Sequence, residues 1–267
     1  MYRYKQQNKY LYMRKRTSRA RGKEETRKQI MDDTAPYIFS NPNPIKRVLK
    51  VKQFPWTDKQ KDFFKIALHK DTKIVFVEGP AGTAKSLLSV YCGLQLLNMK
   101  VISDIMYLRS AVESSESKLG FLPGSAEEKL MFYNMPFLDK LDELLPTIRS
   151  EKLENEGRIS MFPVNFARGM NWTNKCVILD EAQNSSMKEI TTVLTRLGKG
   201  SRCFVLADPM QTDLRHRDAI GGFEKLYKAF TDQESQAMGI HTFEFDEDDI
   251  MRSELCKFIV KKIKPLK

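Results

Sequence analysis

Short apolar runs alternate along the chain with longer stretches in which apolar residues recur at helical spacing. Such runs, when rich in β-branched and aromatic residues, are typical of strands that are buried on both faces of a parallel sheet. The pattern predicts strands at 73–77, 101–108, 159–164, 176–179, 203–207 and 241–245. Helices are predicted to begin near residues 57, 86, 126, 186 and 250, and Pro136 is expected to divide the third of them into two. The order of these elements predicts an α/β fold with a central, mainly parallel sheet.

A glycine-rich turn follows the first predicted strand and opens the second predicted helix. It reads Gly-Pro-Ala-Gly-Thr-Ala-Lys-Ser at 79–86. Strand, glycine-rich turn and helix start are the context of a phosphate-binding loop, in which backbone N–H groups approach phosphate oxygens. The residues predicted to contact a nucleotide here are Gly79, Pro80, Ala81, Gly82, Thr83, Ala84, Lys85 and Ser86. The alternative is an ordinary turn with a surface lysine.

Individual roles within this loop follow from side-chain chemistry. Lys85 is predicted to reach the β- and γ-phosphates, and the Ser86 hydroxyl is predicted to ligate Mg²⁺. Ala84 stands where the usual pattern has glycine. Its Cβ is tolerable if the residue keeps a negative φ, but it crowds the β-phosphate.

An acidic motif follows another buried-strand run. Val177 to Leu179 lead directly into Asp180 and Glu181, at the strand end where ligands of open α/β sheets bind. Asp180 is predicted to hold Mg²⁺ through water, and Glu181 to orient and deprotonate an attacking water. A second carboxylate favours a hydrolase, because a kinase must exclude water. Solvated acids that cap a strand are the alternative.

Four polar residues outside these motifs are further candidates. Gln211 is predicted to sense the γ-phosphate, although a turn with Asp208 in its first position explains the same residues. Gln60 lies 19 residues before the loop and is predicted to pair with adenine N6 and N7, or else to be a surface glutamine. Arg109 and Arg168 are expected near the phosphates, along a nucleic-acid backbone, or in surface ion pairs.

These motifs resemble the PhoH-like family of phosphate-starvation-inducible ATPases, and the chain resembles a phage-type member. The resemblance spans roughly Phe54 to Val260. The matching stretches are 79–83, Leu-Gly-Phe-Leu-Pro-Gly at 119–124, Arg168-Gly169, Asp-Glu-Ala-Gln-Asn at 180–184, Leu-Thr-Arg-Leu-Gly at 194–198, and Asp208 with Gln211 and Asp213. The family is similar to the first motor lobe of superfamily 1 helicases. The resemblance therefore implies a single RecA-like P-loop domain, ATP and Mg²⁺ as cofactors, ATP hydrolysis, and helicase-like activity on RNA in some members.

Charge is concentrated near the N-terminus. Residues 1–30 carry 11 Lys and Arg against two Glu, so they hold most of the net charge of +11. Tyrosines are interleaved with these charges, so the arm is suited to phosphate contacts and base stacking on RNA or single-stranded DNA. A solvated tail is the alternative. The predicted organisation is a basic arm with a proline-containing linker at 1–50 and the ATPase domain at 51–267.

A chain of 267 residues is short for two motor lobes of about 150 residues each. Because the related helicases close their ATP site between two lobes, we expect a homo-oligomeric ring, such as a hexamer, in which a neighbouring subunit supplies an arginine. Arg252 is preferred over Arg196 for this role, and both are expected on elements that lead away from the subunit's own phosphate-binding loop.

Cellular context is predicted from composition. The four cysteines are widely spaced and lie in or beside apolar runs, so they are expected to be reduced core residues of a cytoplasmic protein. No apolar stretch reaches 18 residues, and the N-terminus lacks the apolar segment of a signal peptide, so no membrane partner is expected. Two other functions stay open: a nucleotide-switched binding or scaffold module, and a small P-loop kinase.

Overall fold

Parallel strands form the centre of the fold. The computed structural model describes residues 48–109, 126–167, 169–211 and 221–264. The strands are β1 (Ile74–Glu78), β2 (Asp104–Arg109), β3 (Ile159–Pro163), β4 (Lys175–Asp180), β5 (Arg202–Ala207) and β6 (Ile240–Glu244). They form a six-stranded sheet in the order β3-β2-β4-β5-β1-β6, in which every neighbouring pair is parallel. All six predicted strands are confirmed, and β5 separates β1 from β4 as in a RecA-like sheet.

Helices cover both faces of the sheet. They are α1 (Asp58–Ala67), α2 (Lys85–Asn98), α3 (Ala126–Leu144), α4 (Ser150–Asn155), α5 (Met187–Leu194), α6 (Gly222–Ala229), α7 (Gln233–Ala237) and α8 (Glu254–Ile263). Short 3₁₀ turns lie at Val164–Ala167, Ala182–Asn184 and Glu247–Asp249. Within the described ranges, no helix is both long and apolar enough to span a bilayer.

Alternate residues of each strand face two separate apolar cores. In β4, Ile178 faces the core that includes residues of α1 to α4, whereas Val177 and Leu179 face the core under α5 and α6. This alternation follows from the two-residue period of a strand. The continuous apolar runs of the sequence are therefore explained by a sheet that is covered on both sides.

The prediction that Pro136 divides the third helix into two is wrong. α3 runs unbroken from Ala126 to Leu144 with Pro136 inside it. Proline lacks one amide hydrogen and disfavours a helix interior. Here the turns after it bury Phe137, Leu141 and Leu144 completely, and this packing outweighs the local preference.

Candidate functional site

The carboxyl ends of β1, β4 and β5 bring the predicted site residues together. The loop at 79–86 follows β1, the acidic pair closes β4, and Asp208 follows β5 directly. In a parallel sheet these three ends share one edge, which is where ligands of such folds bind.

Close packing explains why two positions of the loop between β1 and α2 are occupied by glycine. A Cβ on Gly79 would lie 2.8 Å from both the Cβ and the carbonyl oxygen of Phe245. Gly82 has φ +89°, and a Cβ there would lie 3.1 Å from Cγ2 of Ile250. The Met251 N–H also donates to the Gly82 carbonyl at 2.9 Å. The segment after β6 therefore packs against the loop at 79–86 of its own chain.

Ala84 occupies a left-handed backbone conformation. Its φ is 65° and its ψ 18°, directly before the first residue of α2. The condition under which its Cβ would be tolerable, a negative φ, is therefore not met, because the turn into the helix imposes the geometry that glycine adopts freely. An alanine in this region carries strain of about 1–2 kcal/mol.

Lys85 is folded back onto the loop that precedes it. Its Nζ donates to the carbonyl oxygens of Gly79 at 2.6 Å and Pro80 at 2.9 Å. Burial lowers the pKa of this lysine, and the negative charges of Asp208, Asp180 and Glu181 oppose that shift. The ammonium is thus held at the loop with three carboxylates around it, and phosphate oxygens can replace the two carbonyls as acceptors.

Asp180 is the centre of a buried set of hydrogen bonds. Its Oδ1 accepts from the Ser86 hydroxyl at 3.0 Å and from the Glu181 N–H at 3.1 Å. Its Oδ2 accepts from the Tyr107 hydroxyl at 2.8 Å. Hydroxyl and carboxylate oxygens are the ligands that Mg²⁺ prefers, so Ser86 and Asp180 fit a magnesium site. Tyr107 was not predicted, because it lies within an apolar strand run that carries no polar signal.

Glu181 has an unusual backbone and two polar neighbours. Its φ of 55° and ψ of 41° place a non-glycine residue in the left-handed region, where strain is concentrated at functional positions. Oε1 lies 3.7 Å from Nη2 of Arg109, and Oε2 accepts from Nε2 of Gln183 at 2.6 Å. The structure thus brings Arg109 to the acidic motif, on the side of the sheet edge where the loop lies.

Gln183 joins the ends of β4 and β5. Besides Glu181, its Nε2 donates to the Gln211 carbonyl at 3.2 Å, and its Oε1 accepts from the Asp208 N–H at 3.1 Å. This buried amide therefore ties the acidic motif to the turn after β5. Its position inside the matching stretch 180–184 was a signal, but its role depends on contact with Asp208, 25 residues further along the chain.

The turn after β5 presents Gln211 at the site. The Gln211 N–H donates to the Asp208 carbonyl at 3.0 Å, and the Met210 N–H donates to Oδ1 of Asp208 at 2.9 Å. The alternative interpretation as an aspartate-led turn is therefore correct for the backbone. The same turn places Gln211 beside the loop, along one groove with Pro80 and Ala81.

The expectation that Arg252 leads away from its own loop is wrong. Its Cβ lies 3.3 Å from where a Cβ on Gly82 would be, and it lines a groove of about 500 Å³ with Pro80, Ala81 and Gln211. The reason is the backbone hydrogen bond from the adjacent Met251 to Gly82 of the loop. Arg196 does lead away: its carbonyl accepts from the Trp172 N–H at 2.9 Å, before β4 begins and thus at the opposite end of the sheet.

Gln60 has a structural partner. It is buried, its Oε1 accepts from the Thr57 N–H at 3.0 Å, and its own N–H donates to the Thr57 hydroxyl at 3.2 Å. This reciprocal pair is a capping box that begins α1. Gln60 is therefore not a surface glutamine, and one lone pair of its amide oxygen is already used.

Some expectations lie outside the described residues, namely those on Arg168, on the stretch 119–124, on Asp213 and on the basic arm at 1–30. Cys92, Cys176 and Cys203 are buried and free, as expected. Cys256 is only partly buried, so its prediction as a core residue is wrong; its Sγ lies 4.0 Å from the Ala81 carbonyl oxygen. The reason is that α8 covers the loop with this side and leaves its other side exposed.

Comparison with known proteins identifies the family of the chain. The family described as "PhoH-like protein" matches residues 53–264. A PhoH-like protein of Bacillus subtilis is 35% identical over 198 residues, which are 73% of this chain and 60% of that protein. Protein PhoH of Escherichia coli is 33% identical over 187 residues, which are 69% of this chain and 51% of that protein. The chain thus spans about half to three fifths of these relatives.

Among solved structures, the Pif1 helicase of Candida albicans is similar with a TM-score of 0.41 and 14% identity. The match covers 80% of this chain and 44% of the helicase. The likeness is distant.

Proposed function

Since the chain belongs to the PhoH-like family of P-loop NTPases, we propose that it is a Mg²⁺-dependent ATPase that acts on RNA or single-stranded DNA. The observation that carries this proposal is the meeting of Lys85, Ser86, Asp180 and Glu181 at one sheet edge, linked by Asp180 through its bonds to Ser86 and Glu181. These are the residue types that phosphoryl transfer from a nucleotide to water requires.

Each of these groups has a distinct task in the proposed reaction. Lys85 releases the two loop carbonyls and binds the β- and γ-phosphates. Ser86 and Asp180 hold Mg²⁺, which neutralises charge on the phosphates when it is bound. Glu181 accepts the proton of the attacking water. Its backbone conformation and the bond from Gln183 fix the carboxylate in place, so that positioning does not have to be achieved during the reaction.

The turn after β5 and Arg252 complete the proposed site. Gln211 reports the loss of the γ-phosphate, and Gln183 transmits its position to Glu181 through the bond to the Gln211 carbonyl. Arg252 contacts phosphates of its own subunit, because its segment is bonded to the loop. If a neighbouring subunit of a ring supplies an arginine, that arginine is therefore a residue other than Arg252, and Arg196 is a candidate.

The bond between Gln60 and Thr57 limits how Gln60 can contact adenine. A glutamine can pair with adenine N6 and N7 through both amide atoms. In this structure Oε1 already accepts from Thr57, although a carbonyl oxygen has a second lone pair. We propose that Gln60 contacts adenine while it still caps α1. Gln60→Glu keeps the acceptor and the cap, and it should weaken ATP binding through loss of the amide donor.

We propose that the chain binds single-stranded nucleic acid through the basic arm at 1–30 and through Arg109. An arm that neutralises phosphates makes the affinity fall steeply with salt. Deletion of residues 1–30 should weaken the affinity for single-stranded RNA and flatten its dependence on salt concentration. An unchanged salt slope after deletion would leave the arm as a solvated tail.

The decisive experiment measures ATP binding and phosphate release separately. Lys85→Ala should weaken binding, whereas Glu181→Gln should abolish release and preserve binding, because the amide keeps the shape and loses the base. Glu143→Gln, an exposed carboxylate on α3, is the matched control and should change neither. Normal turnover in Glu181→Gln would contradict the assignment of the base.

Two other functions are tested by the same assay. A nucleotide-switched scaffold is favoured by the strained Ala84, which crowds the phosphates, and it would bind ATP with negligible turnover at any concentration of RNA. A small kinase would release no phosphate without an acceptor, which separates it from an ATPase in a single measurement.

A further inference from the structure

A buried tyrosine contacts the carboxylate that the proposed function assigns to magnesium. Tyr107 is 1% exposed, and its hydroxyl donates to Oδ2 of Asp180 at 2.8 Å. The other carboxylate oxygen, Oδ1, faces Ser86 and the Glu181 amide. Donors on both oxygens leave Asp180 little freedom to rotate.

The strand register and an aromatic stack place this hydroxyl. In the pairing of β2 with β4, Tyr107 lies opposite Ile178 and Arg109 lies opposite Asp180. Tyr107 therefore points to the same face of the sheet as Asp180, and its side chain is long enough to span the offset of two positions from Ile178 to Asp180. Its ring stacks on Phe137 of α3, with centroids 4.7 Å apart and planes at 11°. The stack restrains the ring from the side away from the strand.

We propose that Tyr107 is a positioning residue that holds the Asp180 carboxylate in the orientation required to bind Mg²⁺ with Ser86. The proposal rests on the proposed function, because it assumes that Asp180 serves a metal. The physical reason is preorganisation. A carboxylate whose Oδ2 already accepts a hydrogen bond presents Oδ1 toward the Ser86 hydroxyl. Binding of the metal then costs little side-chain conformational entropy, because the rotamer is already fixed.

Tyrosine suits this position because it donates without adding charge. A lysine or arginine here would neutralise the carboxylate and compete with the cation. Outer partners of metal ligands typically change metal affinity by about 10–100-fold when they are removed.

The test is Tyr107→Phe, which removes one oxygen and keeps the ring that stacks on Phe137. The readout is binding of a fluorescent ADP analogue, titrated with Mg²⁺ and repeated in EDTA. We expect the Mg²⁺ concentration that gives half of the metal-dependent change to rise about tenfold. The affinity measured in EDTA should stay that of the natural protein.

Tyr91→Phe is the matched control. Tyr91 is also buried, and its hydroxyl donates to Oε1 of Gln53 at 3.0 Å, while its ring packs on Trp56 and Phe64. It removes the same atom from a tyrosine remote from the proposed metal site, and it should leave the Mg²⁺ titration unchanged. Phe137→Leu, which keeps the hydroxyl and loosens the stack, should shift the titration in the same direction by a smaller factor.

Several outcomes would overturn the proposal. One is an unchanged Mg²⁺ titration in Tyr107→Phe, and another is an equal loss of affinity with and without Mg²⁺, which is the result of a merely structural hydroxyl. A natural protein whose nucleotide binding ignores Mg²⁺ would remove the premise that Asp180 serves a metal. A natural protein that shows Mg²⁺-dependent binding but no phosphate release would instead contradict only the proposed ATPase, and the shift in Tyr107→Phe would still support the positioning role.

Discussion

Replacement of Ala84 by glycine should stabilise the protein and strengthen nucleotide binding. Ala84 has φ 65°, which costs a non-glycine residue about 1–2 kcal/mol. Glycine avoids that strain but gives the unfolded chain more freedom, at a cost of about 0.5–1 kcal/mol. The difference predicts a net gain of about 0.5–1 kcal/mol in the free energy of unfolding. Loss of the Cβ also opens space at the β-phosphate, so the affinity should rise.

Urea and thermal unfolding measure the first effect. For a domain of this size, 1 kcal/mol corresponds to a shift of about 2–4 °C in Tm. The matched control is Lys100→Gly, because Lys100 also has a positive φ, 59°, and lies two residues after the last residue of α2, at the end of that helix away from the loop. Lys100→Gly should raise Tm by a similar amount and leave ATP affinity unchanged, whereas Ala84→Gly should raise both.

The reasoning would be refuted by a Tm in Ala84→Gly that falls or stays constant while Lys100→Gly raises it. That combination would mean that Ala84 is not strained and that the loop needs its Cβ. A stabilised Ala84→Gly protein with unchanged ATP affinity would separate the two claims, since it would confirm the strain and contradict the crowding of the phosphate.

Three further predictions concern pH, labelling and subunit mixing. Burial and neighbouring carboxylates, chiefly Glu244, raise the pKa of Glu78 to about 7. The folded state therefore keeps a proton that the unfolded state releases near pH 4.5, and the free energy of unfolding falls as the pH rises from about 4.5 to about 7. Glu78→Gln should therefore be more stable than the natural protein at pH 8, by about 1–2 kcal/mol once the shift is discounted for solvent screening at this partly exposed group, with equal urea midpoints near pH 4 as the check. Cys256, partly buried beside the loop, should react with a maleimide more slowly when ATP is bound, and equal rates measured by mass spectrometry would place the nucleotide elsewhere. Because Arg252 lies against its own loop, mixing inactive Arg252→Ala with inactive Glu181→Gln subunits should restore no phosphate release, and recovered turnover would show that this arginine acts across an interface.

Local chemistry explains what could be predicted from the sequence. The apolar runs located the six strands of the described residues, and the glycine-rich turn and the acidic pair located the candidate site, because strand ends of a parallel sheet share an edge. Helix starts at Thr57 and Ser186 were also predictable, since each forms a capping box with a residue three positions later. All of these features depend on residues that are close in the chain.

Features that depend on distant residues were decided by the tertiary structure alone. Tyr107 looked like one more apolar strand residue until the register of β2 and β4 placed its hydroxyl on Asp180. Arg252 was expected far from the loop until the segment after β6 bonded to Gly82. Pro136 stayed within a helix because the buried turns that follow it outweigh its local preference. In each case the outcome depends on contacts between segments that are tens of residues apart in the chain. The spacing of residues along the sequence does not encode such contacts.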